Sequence, residues 1–106
     1  MMAAEVISTR GVRVDVYDSM PSVGRKFLMA GKSGLNITHS DPFEVFVSKY
    51  GKRRNEIEPL LKQFGADELR AWLHGVGIET FIGTSGRVFP KGMQASPRLR
   101  AWLKRL

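Results

Sequence analysis

Cysteine is absent from this 106-residue chain. Its absence excludes a disulfide framework, a thiolate zinc site and a cysteine nucleophile. Histidine is scarce: His39 and His74 stand 35 positions apart, neither with a partner at metal-ligand spacing, so no metal site is expected. No apolar run reaches the ~18–20 residues that a membrane-crossing helix needs. The opening residues Met1 to Val6 have no basic stretch followed by an apolar one, so no signal peptide is read there. A cytoplasmic protein without membrane partners is therefore expected. There is no G-x-S-x-G turn to present a nucleophilic serine. The phrase Gly31-Lys32-Ser33 imitates the end of a P-loop, but six residues rather than four separate it from Gly24. The residues before it, Phe27-Leu28-Met29-Ala30, make a poor strand, so the phosphate cradle of an NTPase is not expected.

What is present is a hydrophobic fraction of 42%, enough for a core and too much for a disordered tail. A chain this short keeps a large share of its surface exposed, so its stability is marginal unless something covers it. The formal net charge is +7, made of −1 over residues 1–20, +4 over 21–56 and +4 over 57–106. A positive balance spread this widely suits an anionic partner, either a phosphorylated cofactor or nucleic acid.

Periodicity predicts an α/β chain. Residues 1–10 read as a helix stopped by Gly11. Val12, Val14 and Val16 alternate with Arg13, Asp15 and Tyr17 as in a short strand ending at Asp18. Residues 19–40 hold Pro21, Gly24, Gly31 and Gly34 and read as a long, mostly irregular loop, with one helical turn near Phe27–Met29. A short helix is predicted over 42–50, with Asp41 as N-cap and Pro42 at the first position. Ile57, Leu60, Leu61 and Phe64 define the next helix, opened by Asn55 and Glu58. Leu69, Trp72, Leu73 and Val76 define another, capped by Asp67 and closed by Gly75 and Gly77. Residues 78–82 and Arg87–Phe89 read as two strands joined by the turn Gly83-Thr84-Ser85-Gly86. Ser96-Pro97 opens a last helix with a stripe of Leu99, Trp102, Leu103 and Leu106. The first helix has no N-cap and the last no C-cap, so both ends read as cut.

A helix, then a strand, then an acid at the strand's end is the second half of a dinucleotide-binding βαβ unit. In such units the acid takes hydrogen bonds from the adenosine ribose, and a glycine-rich turn upstream holds the pyrophosphate. Here Asp18 is that acid, and no G-x-G-x-x-G turn precedes it. Residues 1–40 are thus expected to be a partial FAD-binding Rossmann-like segment lacking that turn. Residues 41–106 are expected to be a helical segment with a β-hairpin near 78–89.

The run from Pro21 to Ser40 resembles the FAD loop of the aminoacetone-oxidase-like family, the NAD(FAD)-utilizing dehydrogenase flavoproteins. Members carry G-R-K after the ribose acid, then a glycine run ending in N-x-T-[NH]. Gly86-Arg87-Val88-Phe89-Pro90 resembles a second family motif, G-R-V-F-P, and the resemblance spans essentially the whole chain. It implies cofactor-binding roles for Asp18 at the ribose and for Gly24, Arg25 and Lys26 near the adenosine and pyrophosphate. It implies backbone approach to the cofactor at Gly31, Ser33 and Gly34, and positions toward the flavin for Asn36 and Thr38. Met2, Ala3 and Ala4 match the first helix. Where many members read G-G-G-R-C-N, this chain reads Lys32-Ser33-Gly34-Leu35-Asn36, a subfamily form without the Arg and Cys.

The implied function is the FAD-binding portion of a flavin-dependent oxidoreductase, truncated at both ends. NAD(P)H is a candidate electron donor and a small molecule the substrate, with no catalytic residue assigned. Two alternatives stand beside it. One is an inactive fragment of such an enzyme. The other is a small basic nucleic-acid-binding protein using Lys49, Lys52, Arg53 and Arg54 or Arg98, Arg100, Lys104 and Arg105. The latter has no interleaved aromatics and no named nucleic-acid motif to support it.

Overall fold

The structure, a computed structural model, describes residues 1–30, 34–92 and 95–105. Its helices are α1 (Met2–Ser8), α2 (Arg25–Ala30), α3 (Phe43–Ser48), α4 (Arg54–Gln63), α5 (Ala66–Gly75) and α6 (Ala95–Arg105), with a 3₁₀ turn at Gly51–Arg53 leading into α4. Its strands are β1 (Thr38–His39), β2 (Thr80–Ile82) and β3 (Arg87–Pro90). They form an antiparallel sheet in the order β1-β3-β2. Thr38 pairs with Val88 and His39 with Arg87, while Thr80, Phe81 and Ile82 pair with Pro90, Phe89 and Val88.

The helices meet at one buried carboxylate. Glu5 on α1 is 5% exposed. Its Oε1 accepts the Trp72 indole N–H of α5 at 3.0 Å, and its Oε2 accepts that of Trp102 on α6 at 2.7 Å. Arg105 Nε lies 2.8 Å from Oε1 and balances the charge. The two indoles meet edge to face with centroids 5.0 Å apart, and Phe27 of α2 stands edge-on to Trp102 at 6.3 Å. A buried carboxylate is tolerated only with its lone pairs satisfied and its charge paired, and here both conditions hold. Apolar burial completes the core at Ala4, Leu35, Val47, Leu73, Ile78, Val88 and Leu99. Leu106, the last residue of the expected stripe on α6, lies outside the described residues.

The helix α5 ends as its glycines predict. Gly77 takes φ +78, and the Ile78 N–H reaches back to the Leu73 carbonyl at 2.9 Å. This is the Schellman closure, with the two joined residues both buried. The hairpin turn is closed by Gly83 N–H to Arg87 O at 2.8 Å and Gly86 N–H to Gly83 O at 2.9 Å.

Several expectations are corrected. Residues 12–17 form no strand: a strand needs a ladder partner, and among the described residues none reaches them. Val12, Val16 and Tyr17 are exposed accordingly. The expected side-chain caps also fail. The helix α3 begins after Pro42, and the Asp41 carboxylate turns instead to His39 and Lys49. The helix α4 begins at Arg54, before Asn55, and Glu58 binds Arg54 and Lys62 rather than closing a capping box. Gly65, not Asp67, holds the N-cap place of α5, and its N–H donates to Glu68 Oε2 at 2.9 Å. The helix α6 begins at Ala95, one residue before Ser96. The stretch read as a mostly irregular loop contains a strand, β1, which periodicity does not reveal.

Candidate functional site

The candidate cofactor residues fall along one path from Asp18 to Thr38. Asp18 is exposed, and its Oδ1 accepts the Met20 N–H at 2.9 Å. This is an Asx turn just ahead of Pro21. Gly24 has φ +77, and a Cβ there would lie 2.8 Å from Leu99 Cδ1 and 2.9 Å from Cδ2. Both the backbone sign and the packing of α2 onto α6 therefore require glycine at this point. Arg25 and Lys26 follow at the start of α2, both exposed. Neither has a carboxylate within ion-pair distance among the described residues.

Gly31 and Ser33 lie outside the described residues. Gly34 resumes the path at φ +107. Leu35 is buried and anchors the loop in the core, while Asn36 next to it is exposed. The chain then enters the sheet. The Ile37 N–H donates to Val88 O at 2.9 Å, and Thr38 pairs with Val88. The Ser40 N–H and hydroxyl both donate to Gly86 O, at 2.9 and 3.0 Å. The N-x-T-H run and the G-R-V-F-P run, set apart in sequence, are thus neighbouring strands.

His39 joins them further. Its Nε2 donates to Ser85 O at 3.0 Å, and its Nδ1 lies 2.8 Å from Asp41 Oδ2. Lys49, just past the end of α3, binds the same carboxylate oxygen. The imidazole sits over Gly86, where a Cβ would come within 2.5 Å of its Cε1. Sequence reasoning weighed His39 only as a metal ligand. The signal that could have found this role is its place directly after a β-branched pair, Ile37-Thr38, and two residues before an acid. Beside His39 opens a cleft of about 610 Å³, lined by Asp41, Phe43, Phe46, Leu61 and Arg70 among others. The size lies within the range of small-molecule sites.

The first basic cluster is not a free cationic face. Lys49 binds Asp41, Arg53 binds Glu56, and Arg54 bridges Glu44 and Glu58. Hydrogen bonds that Arg54 donates to Glu44 and then to Glu58 raise its pKa above the ordinary value. Hydrogen bonds from Lys62 and then Arg54 hold Glu58 below the usual carboxylate range, and Lys91 does the same to Glu79. In the second cluster Arg105 is taken by Glu5. No helix among the described residues is long and apolar enough to cross a membrane.

The model of one family, the HI0933-like protein Rossmann domain, matches residues 1–106. A search of curated proteins finds no match. The chain belongs to this family, whose members are aminoacetone-oxidase-like flavoproteins.

Proposed function

We propose, starting from membership of the HI0933-like flavoprotein family, that residues 18–38 are the FAD-contacting part of a flavin-dependent oxidoreductase. The observation that carries the reading is the meeting of the two family motifs in one sheet, where β3 of G-R-V-F-P pairs with β1 of N-x-T-H. A cofactor loop needs its far end fixed, and this pairing supplies the fixture.

The residues present fit the cofactor in two respects. Arg25 and Lys26 keep their charge unmatched among the described residues, as a pyrophosphate partner requires. Gly34, at φ +107, leaves backbone uncovered by any side chain of its own. Asp18 would take the ribose hydroxyls in place of its present turn bond. Gly24, Gly31, Ser33 and Gly34 would let the main chain approach, and Asn36 and Thr38 would face the flavin. The division of labour is residues 1–40 for contact and residues 41–106 for support. When bound, the flavin supplies hydride or electron transfer, with NAD(P)H as the proposed donor and a small molecule as substrate.

The test is titration of the 106-residue chain with FAD, followed by flavin fluorescence and by thermal melting. A cofactor that binds only the native state at about 100 times its Kd adds about 2.7 kcal/mol of stability. Saturable binding, weakened by Asp18→Ala and by Arg25→Ala, is the expected result. A folded chain that leaves both signals unchanged overturns the proposal.

A further inference from the structure

We infer that His39 is a positioning residue: it fastens the Asn36–Thr38 segment to the hairpin and so sets where those two side chains meet the cofactor. The inference rests on the FAD reading above.

The strand it belongs to is too short to hold itself. β1 has two residues, Thr38 and His39, and strands of that length are marginal without further support. The backbone contributes Ile37 N–H to Val88 O and Ser40 N–H to Gly86 O. The imidazole adds one brace: its Nε2–H donates to Ser85 O at 3.0 Å, in the turn of the hairpin. Its Nδ1 lies 2.8 Å from the Asp41 carboxylate, which Lys49 also holds, but has no hydrogen-bond partner of its own among the described residues.

Its seat is Gly86. With φ +78 and a Cβ position 2.5 Å from His39 Cε1, this residue admits no side chain while the ring is in place. The glycine of G-R-V-F-P therefore serves the histidine of N-x-T-H from 47 positions away along the chain. Successive strand residues point to opposite faces. Seating His39 on one face commits Thr38 to the other, and Asn36 shares the parity of Thr38. The side chain that never touches the cofactor decides the orientation of the two proposed to do so. Loss of such preorganisation lowers affinity even when every contacting group remains.

The experiment compares His39→Ala and His39→Asn with the native chain, in FAD titrations that record affinity and the visible spectrum of bound flavin. Amide exchange is measured on the same samples without FAD. In His39→Ala we expect faster exchange at Ile37 and Ser40, with Gly83 still protected by Arg87, which shows that the hairpin remains folded. We expect FAD affinity to fall by about tenfold or more, with a shifted flavin band. Asparagine, which the family motif admits at this place, is expected to restore both. Gly86→Ala, which removes the seat rather than the ring, is expected to reproduce the loss.

If the native chain binds FAD and His39→Ala binds it equally, with the same spectrum, the positioning role is overturned and the FAD reading stands. If His39→Ala loses FAD while Ile37 and Ser40 stay protected, positioning is overturned in favour of direct contact. If the native chain binds no FAD, the FAD reading falls and the role of His39 toward it falls as well.

Discussion

Trp102 donates its indole N–H to Glu5 at 2.7 Å, and Trp72 donates to the other oxygen of the same carboxylate. One acidic side chain from the first helix thereby satisfies two aromatic donors from the fifth and sixth.

Glu5→Ala strands both indole N–H groups and leaves Arg105 without its partner. Two indole donors left unsatisfied, and the loss of a buried carboxylate paired to a solvent-exposed arginine, are together expected to cost about 2–4 kcal/mol. Glu5→Gln keeps one acceptor oxygen and is expected to cost less, about 1–2 kcal/mol. Urea unfolding midpoints measure both. Equal midpoints for Glu5→Ala and the native chain would mean that the cluster contributes nothing to stability.

Two glycines with the same backbone separate strain from collision. Gly77 and Gly86 both have φ +78, but a Cβ at Gly77 meets nothing within 4 Å while one at Gly86 meets the His39 ring. Gly77→Ala is expected to cost about 1–2 kcal/mol, the left-handed penalty alone. Gly86→Ala should add about 1 kcal/mol or more of overpacking. Thermal melts of the two variants side by side test this, and equal losses would show that the ring simply swings away.

Stability should decline in acid through identified groups. Glu58 and Glu79 have depressed pKa values in the folded chain, held down by Lys62 with Arg54 and by Lys91. A depressed carboxylate contributes stability that is fully present above its unfolded pKa and is lost as pH falls through the folded value. The window therefore opens below the ordinary glutamate value of 4.5. Melting temperature against pH should fall less steeply there in Glu58→Gln. Both pairs involve exposed cations, so the effect is small and shrinks further in salt.

Oligonucleotide binding should be weak. Lys49, Arg53 and Arg54 are each engaged by a carboxylate, as is Arg105 of the second cluster, so both clusters are expected to release fewer counterions to phosphates than their lysine and arginine content suggests. Filter binding at physiological salt is expected to show no saturation with single- or double-stranded DNA. Tight saturable binding would reverse that expectation.

The helices were legible because their apolar spacing is strong: Ile57 to Leu61 fall in α4 and Leu69 to Leu73 in α5, with Phe64 and Val76 at the ends of the two. The hairpin was legible from its glycines. The caps were not, because each expected cap had a competitor that periodicity cannot show. Asp41 had Lys49 and His39, and Glu58 had Lys62 and Arg54. The alternation of Val12, Val14 and Val16 was real, but alternation describes one strand and a ladder needs two. At the candidate site the motifs gave the residues and their order. Their adjacency came only from the pairing of β1 with β3, a contact between distant positions that local pattern does not encode.

That pairing also sets a clock on synthesis. The bond from His39 to Ser85 spans 46 positions. At ribosomal speeds of about 5–20 residues per second, the partner of the N-x-T segment is made roughly 2–9 s after the segment itself. Throughout that interval the loop end has nothing to dock against, and a nascent chain released before Pro90 would leave it without its anchor.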